Sequence, residues 1–171
     1  NVAFGVLSVA VIVVLHLMSV PLVTKEAVLL AASAVIGLTW ESALVGLGLL
    51  NYSGGEGAAA MAPYWIVSMW VLFATTINYG LRWIKQSWSI AMVAGAIGGP
   101  LAFYSGAAMG AVEFSNMPLA LAVIGAGWAV ILPALALIAD TRIDSEWLEP
   151  DRSWTSAIEK RSTLSGLGRQ L

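Results

Sequence analysis

The sequence predicts an all-α, polytopic membrane helix bundle of about five transmembrane helices, or six if a natural segment precedes Asn1. Three observations carry that expectation. Hydrophobic residues make up 59% of the 171-residue chain and charged residues 11%, where a soluble domain carries about 25% charge. The apolar residues gather in runs of about 20, the length that crosses a hydrocarbon core of about 30 Å. The runs show no strand-like alternation, and a segment in lipid must satisfy its own backbone polar groups, so helices are required.

Five apolar segments follow in order: Val2 to Val20, Ala27 to Leu50, Pro63 to Ile84, Trp88 to Gly110 and Met117 to Ala139. Pro21 and Lys25-Glu26 separate the first pair. Asn51 to Gly57, rich in glycine, reads as a flexible loop. Lys85-Gln86-Ser87 reads as a tight turn, and Glu113 to Asn116 breaks the last pair. The chain opens at Asn1 with neither a basic leader nor a small-residue cleavage site, so a secretory signal peptide is a poor reading. Residues 1–139 form the expected bundle and residues 140–171 a polar tail. In the tail, Asp151 is placed to cap a short helix carrying Trp154 and Ile158 on one face, and Trp147 and Trp154 suggest an interface contact. A loosely ordered tail is the other reading.

Lysine and arginine set the expected orientation. Lys25, Arg82 and Lys85, with five more basic residues in the tail, fall on one side, whereas Glu56 and Glu113 mark the other. The basic side belongs in the cytoplasm, which places the C-terminus inside. The net charge of −2 and the lack of a basic patch argue against a nucleic-acid partner. The chain has no cysteine and one histidine, so it offers no disulfide, thiolate or multi-histidine metal site. No cofactor is expected: His16 has no second ligand for haem, and no span carries a Schiff-base lysine. His16 itself reads as a structural or interfacial residue.

Polar groups inside the spans are the candidate site. Glu41 lies near mid-span, where a charged side chain costs roughly 2.5–3.5 kcal/mol on the translocon-insertion scale. It should face the interior, be protonated or have a partner. Tyr64, Ser68, Thr75, Tyr79 and Arg82 fall on one face of the third segment, with Asn78 beside it, and lipid would drive that face inward. Ser68 and Thr75 bracket the depth of Glu41, and Tyr104 lies at a similar depth. Arg82 and Trp83 sit at the membrane interface. Gly95, Gly99, Gly106 and Gly110 form a spine for close helix approach, and Gly98-Gly99-Pro100 should kink or locally unwind the fourth helix. Trp65, Trp83 and Trp88 read as interface anchors, while Trp40, Trp70 and Trp128 lie deep enough to wall a pocket.

Several of these pieces resemble a known family. They are Pro63-Tyr64-Trp65, Trp70 to Phe73, Thr76-Ile77-Asn78 with Trp83, then Gly98 to Leu101, Tyr104 and Gly106 to Val112. Trp40-Glu41-Ser42 matches a point where the family more usually has an aspartate. Together they resemble the uncharacterised bacterial inner-membrane family called domain of unknown function twenty-eight seventy-eight, over most of Val2 to Ala139. The resemblance implies a multi-pass protein of the bacterial inner membrane with a further helix before Asn1. It implies no activity. No hydrolase, metalloprotease or phosphate-loop signature is present, so the leading expectation is non-enzymatic. It is an accessory or binding subunit that holds a lipid-like ligand or docks a membrane-protein partner or a second copy. Two alternatives stay open: a small proton-coupled transporter using Glu41, and an intramembrane lipid-modifying enzyme using Glu41 and Tyr104. Membrane lipids are the expected partners in every case.

Overall fold

The computed structural model describes residues 2–53 and 61–140. The tail and the glycine-rich part of the second loop lie outside the described residues. Over the described residues the architecture is an all-α bundle of five α-helices: α1 Val2–Ser19, α2 Val23–Gly46, α3 Tyr64–Ile77, α4 Trp88–Ala108 and α5 Met117–Asp140. α1, α2, α4 and α5 are long and apolar enough to cross a membrane. Helix α1 has no fully buried residue and presents Phe4, Leu7, Val11 and Leu15 outward. The core lies between the other helices, where Leu29, Leu30, Trp70, Ala74, Ile77 and Leu135 pack together.

The third expected span is not one helix. α3 has 14 residues, about 21 Å at 1.5 Å per residue. A five-residue 3-10 turn, Arg82–Gln86, then leads into α4. The physical cause is local. Thr75 and Thr76 turn their hydroxyls onto the carbonyls of Leu72 and Phe73, each at 2.7 Å, which competes with helix propagation. The amides of Tyr79 and Leu81 both return to the Thr76 carbonyl and close the end. Asn78-Tyr79-Gly80 carried that stop signal in the sequence.

Two short strands, β1 Leu50–Tyr52 and β2 Val112–Phe114, pair antiparallel about Asn51 and Glu113 where loops were expected. Each strand follows a helix that ends in the same way. Gly48 and Gly110 adopt φ of 67° and 73°, which only glycine takes without strain. The Gly48 and Gly110 amides donate to Val45 and Ala107, and the next amides, of Leu49 and Ala111, donate to Leu44 and Gly106. These are two Schellman caps. Asn116 then starts α5 by accepting the Leu119 amide at 3.2 Å, and Pro118 falls in the first turn, where a missing donor costs nothing.

The matching caps belong to a larger repetition. The buried stripe of α2 includes Leu29, Ser33, Gly37 and Glu41, and that of α4 is Ala91, Gly95, Gly99 and Phe103, each 62 residues further on. Ser33 donates to the carbonyl of Trp70 at 2.9 Å, and a Cβ on Gly37 would strike the Trp70 ring. In parallel, a Cβ on Gly95 would strike the carbonyl of Trp128, and one on Gly99 would come within 2.5 Å of the Trp128 ring. Trp70 and Trp128 stack on each other with centroids 4.8 Å apart. The bundle therefore contains two similar units, α2–β1–α3 and α4–β2–α5, with their paired tryptophans in contact.

This repetition explains the glycine spine in part. Gly95 and Gly99 serve close approach, Gly106 makes an ordinary contact with Val112, and Gly110 makes the turn. The expected unwinding at Pro100 does not occur, because α4 runs unbroken through it. A Cβ on Gly125 would lie 3.1 Å from the Ala96 carbonyl oxygen and 3.2 Å from Pro100 Cγ. The α5 backbone thus covers the carbonyl that Pro100 cannot satisfy.

Candidate functional site

Glu41 is fully buried, one turn before the end of the inward stripe of α2. Its two carboxylate oxygens have separate donors. Trp70 Nε1 of α3 donates to Oε1 at 2.9 Å, and the Tyr52 hydroxyl of β1 donates to Oε2. Burial pushes the Tyr52 phenol well above its ordinary value, so it remains a donor. Tyr52 in turn stands edge-on to Trp65, with centroids 5.5 Å apart. Both donors depend on tertiary structure: the strand pair positions Tyr52, and the Gly37 contact lets the Trp70 ring lie flat against α2.

Beside this group lies a cavity of about 300 Å³, walled by Trp65, Met69, Phe73, Phe103, Val112 and Trp128. Trp65 and Trp128 each bury an indole N–H that has no hydrogen-bond partner among the described residues. The indole N–H of Trp40, which does not line this cavity, is buried in the same way. No cluster of three metal-ligating side chains occurs among the described residues.

The repetition sets this site apart. Positions 62 residues beyond Glu41 and Tyr52 hold Phe103 and Phe114. The second unit fills both places with hydrocarbon rings. Packing in this architecture therefore does not call for a carboxylate and a phenol, and only the first unit has them.

The expected polar stripe of α3 does not face inward as a whole. Its buried face is Trp70, Ala74 and Ile77. Ser68 and Thr75 donate to the carbonyls of Trp65 and Leu72, both at 2.7 Å, so their hydroxyls are satisfied within the helix and need no partner across the bundle. Tyr64 and Tyr79 are exposed, as is Tyr104 on α4. Neither Ser68, Thr75 nor Tyr104 meets Glu41, so the depth match read from the sequence does not become contact. Arg82 and Trp83 lie exposed in the 3-10 turn. Of the deep tryptophans, Trp70 and Trp128 wall the cavity, whereas Trp40 packs over Gly127.

Asn78 belongs to a second buried group at the opposite end of α2. Glu26 is 2% exposed and lies in the first turn of α2, where the helix dipole favours a carboxylate. His16 Nε2 of α1 contacts its Oε1 at 2.7 Å, and Asn78 Nδ2 donates to Oε2 at 2.8 Å. Lys85 Nζ donates to Asn78 Oδ1 at 3.1 Å, and Tyr79 packs edge-on against the His16 ring. The sequence placed Glu26 in a loop and read His16 as a single structural residue. Their spacing across the Pro21 turn was the available signal. Replacing Glu26 by Ala should cost about 1–3 kcal/mol for the buried groups left unpaired. It should loosen α1 first, which amide hydrogen exchange along Val2–Ser19 would detect. Unchanged protection there would show that α1 is held by something else.

Fold and site together define a polytopic α-helical membrane protein with an internal carboxylate beside a cavity. The chain belongs to the family described as Protein of unknown function (DUF2878), which matches residues 1–134. No curated protein and no solved structure matches the chain.

Proposed function

We propose that this protein is a membrane-embedded binding module whose cavity holds the polar part of a small lipid-like ligand beside Glu41. One observation carries the reading: a fully buried carboxylate, held by two ring donors, borders a cavity of about 300 Å³ walled largely by aromatic and aliphatic side chains. A carboxylate within a span is a functional hypothesis by default, and the Phe103 and Phe114 counterparts support it, since the second unit packs without a carboxylate or a phenol there. The module acts as an accessory subunit in the bacterial inner membrane. Its strand end faces outward, and the Glu26 end, with Lys25, Arg82 and Lys85 nearby, faces the cytoplasm.

Extraction from native membranes followed by mass spectrometry of bound lipid tests this. The wild-type chain should carry one lipid species enriched about tenfold over its share of the membrane, and Glu41→Gln should lose that enrichment, as loss of a charge-assisted contact of about 1.5–3 kcal/mol implies. Lipid bound only in proportion to the surrounding membrane would defeat the proposal. Proton-coupled transport is the second reading, favoured by the cavity lying between two repeated units, an arrangement that transporters use. Uptake driven by a pH gradient, and abolished in Glu41→Gln, would select it.

A further inference from the structure

A hollow of about 720 Å³ lies along the second unit. Phe73, Ala102 and Trp128 stand between it and the cavity beside Glu41. It follows α4 from Ala102 back to Ser89 and the 3-10 turn, where Trp83 and Ile84 close it. No charged side chain lines it. Ile90, Val93 and Ile97 on its wall are exposed, so it opens sideways toward hydrocarbon. The repetition shows that the fold does not require this space. Gly98 and Ala102 in its wall stand where the first unit, 62 residues earlier, has Ile36 and Trp40. Ile36 and Trp40 pack against the buried core, and the Trp40 ring lies over Gly127 of α5. In the second unit these two large side chains are reduced to a hydrogen and a methyl. A Cβ on Gly98 would meet no atom within 4 Å.

We infer that this hollow holds one acyl chain of an anionic phospholipid, with its phosphate at the 3-10 turn. Glu41 does not line the hollow, so this inference and the reading of Glu41 can each fail alone. Length argues for a chain. Ser89 to Ala102 extends about 20 Å along α4 at 1.5 Å per residue. One leaflet of hydrocarbon is about 15 Å deep, half of a core of about 30 Å. A chain entering from the membrane surface therefore fits, with its far end against Trp128. Charge argues for the head. Arg82 and Lys85 flank Trp83 and Ile84 in the turn, and Arg82 is exposed. Lys25 belongs to the same end of the bundle. Of the two acids described at that end, Glu26 is buried and held by His16 and Asn78, and Asp140 closes α5. The first turn of α4 carries no acid. Ser89 and the Trp83 indole add donors to the same end of the hollow. Cations with donors beside them suit a phosphate diester, and basic residues next to a span attract anionic lipid. A zwitterionic head brings its own cation and gains less.

The residues of the first unit provide the test. The full-length chain is placed in nanodiscs of equal dioleoyl phosphatidylglycerol and dioleoyl phosphatidylcholine, then released for native mass spectrometry. The wild type should keep one lipid after the surrounding lipids are stripped. Phosphatidylglycerol should be favoured about fivefold or more, the effect of one basic residue near a membrane surface. Gly98→Ile restores the side chain of the first unit. It should lower retention about tenfold or more for both heads, as the loss of methylene contacts implies. Val93→Phe, at the exposed mouth, should act in the same direction, and thermal unfolding shows that both variants are folded. Arg82→Gln should keep the lipid and lose the preference. A wild type that keeps no lipid, or equal retention in the wild type and both groove variants, would overturn the chain assignment. Equal retention of the two lipids by the wild type, or a preference that survives Arg82→Gln, would overturn the anionic head at the turn. A lipid-free wild-type dimer that Gly98→Ile separates would make a second copy the occupant instead.

Discussion

Gly95→Ala should destabilise the bundle by about 3 kcal/mol, the upper part of the range for overpacking a filled interior. The added methyl would strike the Trp128 carbonyl and crowd Leu132 Cβ. A backbone oxygen cannot rotate away, so α4 and α5 must separate or the α5 backbone must shift. Gly98, one turn further along the same helix, is the control, because its Cβ direction is empty. Gly98→Ala should stabilise by roughly 0.5–1 kcal/mol through the ordinary helix preference for alanine. Unfolding of both variants in mixed micelles measures the difference. Equal stabilities would mean that α4 and α5 do not meet at Trp128.

Trp70→Ala should have an effect of similar size, about 3–5 kcal/mol for deleting a buried indole. Trp70 is 4% exposed. It fills the notch over Gly37, stacks on Trp128 and donates to Glu41. Trp70→Phe separates these roles. It keeps most of the ring and removes the N–H, and it should cost about 1–2 kcal/mol, the range for a polar contact inside a membrane bundle. Stability in the same micelles measures the ring, and retention of bound lipid measures the N–H. A Trp70→Phe variant that keeps both at wild-type level would show that Glu41 needs only Tyr52.

The long spans were legible because a run of apolar residues reports length directly. Val2 to Val20 and Met117 to Ala139 were read within a residue of α1 and α5. α2 was misplaced at both ends. Lys25 and Glu26 look like loop residues, yet they lie inside its first turn, where Glu26 finds His16 and Asn78. α3 was read as too long, because hydropathy continues past Ile77 while the backbone does not. The strands were missed since three residues give no usable period, and their stability comes from pairing with each other. Glu41 stood out as a carboxylate in an apolar run. Tyr52 and Trp70 could not be assigned to it, because one arrives on a strand 11 residues later and the other on a helix 29 residues later. The repetition was hidden for a related reason. It is carried by matched burial and matched contacts, and the aligned segments share few identical residues beyond Gly37 with Gly99 and Gly48 with Gly110.

The shortness of α3 bears on the lipid around the protein. A helix of about 21 Å flanked by members long enough to span makes the protein's hydrophobic girdle uneven. Tyr64 and Met69 on α3 are exposed, and a bilayer that met this side would match it by thinning, snorkelling of flanking residues or oligomerisation, at a fraction of a kcal/mol for each Å. The 3-10 turn that follows α3 also walls a hollow of about 720 Å³ along α4, through Trp83 and Ile84. The broken third span thus shapes the membrane as well as the bundle.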